Sequence, residues 1–213
     1  MGSIARNAAN NITTGGVFTS SAITNNSVTG ITVLANASDG ITLISSQTAS
    51  NSASLSFTSG LTSTYKAYKF VFINIDTVSN AIFTFNMSTD GGSNYNVTKT
   101  TTYFNAYHNE SGVDSALGYS SGQDLAQSTA FQELASLKSA SDDNCGGTLT
   151  LFNPSSTTYV KHFICGISNN NSPYSEHYNI AGYANTTSAI NAVQFKMSSG
   201  NIGAGTIYLY GIK

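Results

Sequence analysis

The most regular hydrophobic pattern in the chain runs through residues 65–96. Tyr68, Phe70 and Phe72 alternate with Lys69, Val71, Ile73 and Ile75. Aromatic and β-branched side chains in both sets predict a strand buried on both faces. After a polar turn at 76–80, Ala81, Phe83, Phe85 and Met87 alternate with Ile82, Thr84 and Asn86. Two such runs separated by a short turn predict an antiparallel hairpin at the centre of a β-sandwich. Asp90-Gly91-Gly92-Ser93 then offers the positive-φ positions of a tight, exposed turn.

Elsewhere the pattern predicts further short strands at 41–46, 53–57, 100–107, 148–153, 159–167, 178–183 and 192–197, and one in the closing segment 205–213. Asn153-Pro154 ends one of them, because proline removes a ladder donor. Between 108 and 127 the alternation dissolves into a long polar insertion, of the kind that carries function or interfaces. Phe131, Leu134 and Leu137 fit a turn or two of helix about as well as a strand. About ten strands without βα alternation predict an all-β fold, a jelly-roll-like antiparallel β-sandwich, over residues 39–213.

Residues 1–38 differ from the rest, being rich in Asn, Thr, Ser and Gly with small apolar groups between polar triplets. They hold too few large side chains to close a core, so they must be disordered or lie along another surface. The reading adopted is an extended N-terminal arm, pinned by a partner or by sister subunits, with Ile4, Arg6, Ile12, Val17, Phe18 and Ile23 as its contact residues. No signal-peptide core follows Met1, so the expectation is a chain that starts there without a leader.

Composition narrows the partners. Charged residues are 8% of the 213, while hydrophobic residues are 40% and aromatics 11%. The surface must therefore be covered by Ser, Thr, Asn and Gly, which suits faces that end against other subunits or sugars. A net charge of −2 with eight scattered Lys and Arg leaves no basic stripe for nucleic acid. No apolar run is long enough to cross a bilayer as a helix. Cys145 and Cys165 lie near strands expected to be neighbours, and the reading favours two buried free thiols over a bridge. Asn-X-Ser/Thr triplets, at Asn86 and Asn96 among others, are what chance supplies in such a composition.

Candidate chemistry is sparse. Gly118-Tyr119-Ser120-Ser121-Gly122, followed by Asp124, Asp142, His162 and His177, matches a hydrolase order. That chemistry needs the serine on a sharp turn between a strand and a helix, and here polar loop flanks it. Acids at Asp39, Asp90 and Asp142-Asp143 sit in turn sequences rather than as an opposed pair. His108, His162 and His177 lack zinc-ligand spacing, and no calcium-loop run is present. The reading is no catalytic residue, no metal and no cofactor. Aromatics are the remaining binding cue: Tyr95, Tyr119 and Tyr174 as exposed loop residues, from a wider set that includes Tyr103, Tyr107, Tyr178 and Tyr183. Tyrosine suits both sugar stacking and subunit contact.

Three stretches carry a resemblance. The ending 198–212, the opening Ser3-Ile4-Ala5-Arg6-Asn7-Ala8-Ala9-Asn10-Asn11 with Gly15-Gly16-Val17, and the turn within 85–95 resemble a family of tailed-bacteriophage virion surface proteins of aquatic phages. The resemblance implies a non-enzymatic β-sandwich on the virion surface, made in the host bacterial cytoplasm. Its partners would be the major capsid protein or tail proteins of the same virion, and its assembly a homotrimer. A head decoration or cement protein is the first expectation. A tail-fibre module that recognises host glycan is the alternative, and a glycan-degrading tail enzyme a third class.

Overall fold

The computed structural model describes residues 40–140 and 142–213. The arm contacts expected at Ile4, Arg6, Ile12, Val17, Phe18 and Ile23 lie outside them. The described chain forms twelve strands: β1 (Ile41–Thr48), β2 (Leu55–Phe57), β3 (Ala67–Ile75), β4 (Ala81–Ser88), β5 (Lys99–Asn109), β6 (Ser115–Tyr119), β7 (Gln132–Leu137), β8 (Cys145–Phe152), β9 (Lys161–Asn171), β10 (Tyr174–Ala184), β11 (Ala192–Met197) and β12 (Thr206–Ile212). An eight-stranded sheet in the order β1-β12-β3-β8-β9-β10-β5-β6 faces a four-stranded sheet in the order β2-β11-β4-β7. All pairings are antiparallel. The fold is an all-β antiparallel sandwich of unequal sheets.

The hairpin expected at its centre does not form. β3 pairs with β12 and β8, whereas β4 pairs with β11 and β7 in the other sheet. The two strands face each other across the core, with Phe72 and Phe83 rings 5.3 Å apart and edge to face. Pairing them side by side would leave both aromatic rows waiting for a second layer. Placing one in each sheet lets each row serve as the other's cover. A bulge between Phe72 and Ile75, with Asn74 at φ 51°, turns the chain out of the first sheet at this point.

β3 is also buried on one face rather than both. Tyr68, Phe70 and Phe72 are fully buried, while Ile73 is 45% exposed on the outer side. At 131–137 the structure selects the strand, and it explains the helix-like spacing. Phe83 pairs with Ala135 and Thr84 with Glu133, so Leu134 is the extra residue of a β-bulge. The bulge brings Leu134 and Leu137 into the same core despite their odd separation. In the expected insertion, β5 continues to Asn109 and returns as β6. Asn109 Oδ1 closes that turn by accepting the N–H groups of Val113 and Asp114, each at 3.1 Å. Every residue of β6 is exposed, so no buried face imprints an alternation on its sequence.

Phe195 of β11 is the centre of the core. Its ring lies 5.2 Å from Phe70, 5.2 Å from Phe72 and 5.8 Å from Phe83, and Phe57 and Phe85 complete the ring of neighbours. The edge-to-face contacts with Phe57, Phe70 and Phe72 and the stacked ones with Phe83 and Phe85 add to the burial itself. Cys145 and Cys165 are both buried and free. Register places Cys145 opposite Asn169 and Cys165 opposite Leu149. Four residues of offset, about 13 Å along a strand, exceed what a disulfide can span.

Truncating the centre of this cluster should be severe. Phe195→Ala should lower stability by about 3–5 kcal/mol, read as a fall in the urea midpoint at unchanged slope. Val78→Ala, at a position 51% exposed, should stay within about 0.5 kcal/mol of wild type.

Candidate functional site

The larger sheet is twice as wide as the smaller, so part of its inner face lies beyond the aromatic core. Inward-facing side chains there come from β5, β9 and β10: Tyr103, Asn105, Asn169, Glu176 and Tyr178. Two rings head this group, Tyr103 and Tyr178, 5.8 Å apart and tilted by 57°. With Asn105, Ser120, Gln123 and Glu133 they line a cavity of about 240 Å³.

Hydrogen bonds from beyond the cavity lining hold Tyr178 in place. Glu176 Oε2 accepts the Tyr178 hydroxyl and the Nδ2 group of Asn171 at 3.0 Å, with Asn169 Nδ2 at 3.4 Å. Asn169 Nδ2 also donates to Ser136 O at 2.7 Å. Burial raises the Tyr103 phenol above its ordinary range, and the charges of Glu133 and Glu176 raise it further. Tyr178 is raised by burial first and then by its bond to Glu176. Burial also raises the Glu133 carboxyl. Both phenols therefore stay protonated as donors, and the carboxylates and amides beside them are acceptors and donors for a polyhydroxylated ligand.

The sequence-predicted aromatics fall elsewhere. Tyr95 is half-buried, its hydroxyl enclosed without a partner among the described residues, and its carbonyl is held by Asn86. It braces the 90–95 turn instead of standing out as an exposed loop residue. Tyr119 is 56% exposed and donates to Asp124 Oδ2. Tyr174 donates to Asp114 Oδ2 at 3.1 Å and packs edge-on against Tyr107 at 5.7 Å. The two therefore flank β5 and β6 without meeting. Asn105 and Glu133 escaped the sequence reading because each is an isolated polar residue in a strand. Only the pairing of Asn105 with Tyr178 reveals the site.

The hydrolase-like motif is differently placed. Ser120 follows β6 in a turn, with no helix after it, and its hydroxyl lies 3.3 Å from Asn105 Oδ1. Asn86, within one of the glycosylation triplets, is fully buried. Its Nδ2 group donates to Tyr95 O at 2.7 Å and Thr129 O at 2.9 Å, while Oδ1 accepts Met87 N at 2.8 Å and Lys99 Nζ at 2.7 Å. No glycan could be attached there.

A second depression lies on the outer face of the eight-stranded sheet. Phe152, His162, Ile164, Ala181 and Tyr183 line a shallow, mainly apolar trough of about 480 Å³. It belongs to a wide, nearly uncharged surface. The cross-strand row Tyr210, Lys69, Thr150, Ile164, Ala181 and Thr102 crosses six strands with one charge.

Comparison of the chain with family models, with curated proteins and with solved structures found no match. The functional reading therefore stands on the residues and their placement.

Lys99 gives this region a measurable pH signature. It is fully buried, donates to Asn86 Oδ1 and Val97 O, and burial lowers its pKa to about 7. Between that value and the ordinary lysine value of 10.5, the unfolded chain holds a proton that the folded chain has released. Stability then rises with pH. Above the ordinary thiol value of 9.0 the buried cysteines oppose the rise, because Cys145 is pushed up to about 12 by burial. Stability should therefore climb from about pH 7 to about pH 9, by up to ~1.4 kcal/mol per pH unit. Lys99→Met should flatten the climb in urea titrations repeated across that range.

Proposed function

We propose that the chain is a non-enzymatic structural protein of a tailed-phage virion, and that it decorates the head shell as a cement protein. The carrying observation is the outer face of the eight-stranded sheet. A wide, flat, apolar-to-neutral surface of this kind is uncommon on a protein that works alone. Ile164 is 56% exposed and Phe152 40%, beside the trough. The β6 edge carries Leu117 at 74% exposure with no charged residue in the strand, so it lacks the charges that commonly guard an edge. Surfaces of this type favour a permanent protein neighbour, and the resemblance of the chain's ends to virion proteins suggests which one: the major capsid protein. The arm at 1–38 would add contacts to capsid or to sister subunits in a homotrimer. A ligand that binds only the assembled lattice stabilises that lattice by mass action, which is the mechanism of cementing.

The tyrosine cavity supports a second reading. Two phenols, the amides of Asn105 and Gln123 and the Glu133 carboxylate around about 240 Å³ suit one or two sugar residues. This favours a tail-fibre module that grips a cell-surface glycan.

Copy number separates the two. Quantitative mass spectrometry of purified particles should give this chain near parity with the major capsid protein. A ratio of a few per cent would defeat the head assignment and place the chain in the tail, where Tyr178→Phe should weaken glycan binding severalfold on an array of host polysaccharides.

A further inference from the structure

The tyrosine cavity opens where the smaller sheet ends. One wall is β7, the edge strand of the four-stranded sheet, which contributes Glu133. The other walls are Tyr103 and Asn105 of β5, Tyr178 of β10, and the segment after β6 with Ser120 and Gln123. Neighbouring strands hold that segment in place. Gln132 Nε2 donates to Gln123 O at 3.0 Å, and Thr101 Oγ1 accepts the Leu125 N–H at 2.8 Å while donating to Gln132 Oε1 at 2.7 Å. A ligand therefore meets a wall already ordered, which lowers the entropic cost of binding.

Tyr103 is 4% exposed, yet its hydroxyl has no partner among the described residues and is not enclosed by protein as that of Tyr95 is. It opens onto the cavity that Tyr103 lines. Tyr178, by contrast, commits its hydroxyl to Glu176. Further hydrogen-bonding capacity is unused around the same space. Asn105 engages only its Oδ1, as acceptor for the Ser120 hydroxyl at 3.3 Å. Its Nδ2 group, the Gln123 side-chain amide and the Glu133 carboxylate have no hydrogen-bond partner among the described residues. Polar groups withdrawn from bulk water without partners are unfavourable, and a ligand that matches them removes the penalty.

Charge and form select that ligand. The lining offers one carboxylate acceptor, three uncharged groups that donate, and no Lys, Arg or His. A phosphate or carboxylate ligand would meet a like charge and no counter-ion. A free amino acid would leave its own carboxylate unpaired. A neutral sugar fits, because each hydroxyl both donates and accepts and a vicinal pair can donate to the two oxygens of one carboxylate. The C–H faces of its ring suit Tyr103, Tyr178 and Ile82. A volume of about 240 Å³ lies below the range of drug-sized sites, which limits the site to about one ring.

We propose that the tyrosine cavity selects a neutral sugar residue and excludes uronates and sialic acids. Glu133 accepts the sugar's hydroxyls and repels an acidic group, while Tyr103, Asn105 and Gln123 donate. This rests on the reading of the cavity as a sugar site, and it holds wherever on a virion the protein sits.

The test is saturation-transfer NMR on the full chain. Methyl glycosides of glucose, galactose and mannose are set against those of glucuronate, galacturonate and N-acetylneuraminate. At least one neutral glycoside should show transfer, and every acidic one none at the same concentration. Tyr103→Phe, which removes only the hydroxyl, should raise the Kd of the bound glycoside severalfold. Glu133→Gln should raise it about tenfold, through the loss of charge-assisted bonds. If no sugar binds, the sugar-site reading fails and the selectivity fails with it. If an acidic sugar binds as well as a neutral one, the sugar site stands and the selectivity is overturned. A Kd unchanged in both variants places binding elsewhere and overturns the assignment to this cavity.

Discussion

The aromatic contact between the two sheets is the constraint on which the rest depends. Phe195 and its five phenylalanine neighbours come from β2, β3, β4 and β11, that is, from both layers. Rings of this size meet edge to face only when the sheets are held about 10 Å apart at a fixed angle. That spacing decides which strands can belong to which sheet. It separates β3 from β4 and obliges most connections to cross from one layer to the other.

The second determinant is the mismatch in sheet width. Four strands cover only part of eight, and the uncovered inner face of β5, β9 and β10 becomes polar while its strands continue. Tyr103 and Tyr178 mark the border, both buried toward the core, with the Tyr178 phenol bonded to Glu176. The outer face of the same sheet has no layer over it among the described residues, yet it carries almost no charge. Both candidate surfaces therefore follow from one geometric fact, and they differ in chemistry because one borders the core and the other does not.

Buried polar groups in this protein come in two kinds. Asn86 uses both ends of its amide, donating to two loop carbonyls and accepting from Met87 and Lys99. A network so completely satisfied acts as a cross-brace. Asp143, equally buried, has no such partners among the described residues.

Much of this was legible in the residues alone. Period-two alternation, turn sequences and the lack of helical spacing determined an all-β sandwich, located most strands within a few residues, and marked the cysteines as buried thiols. These properties are local, since a strand's own side chains record which of its faces is buried. Partnership is not local. Whether β3 pairs with β4 or faces it depends on where their aromatic rows find cover, and both arrangements use the same alternation. β6 left no periodic trace because it is exposed on both faces, and Leu134 imitated a helix because a bulge shifted its phase. The tyrosine cavity draws on residues dozens of positions apart. Its isolated Asn and Glu side chains look like ordinary strand residues until sheet register brings them together.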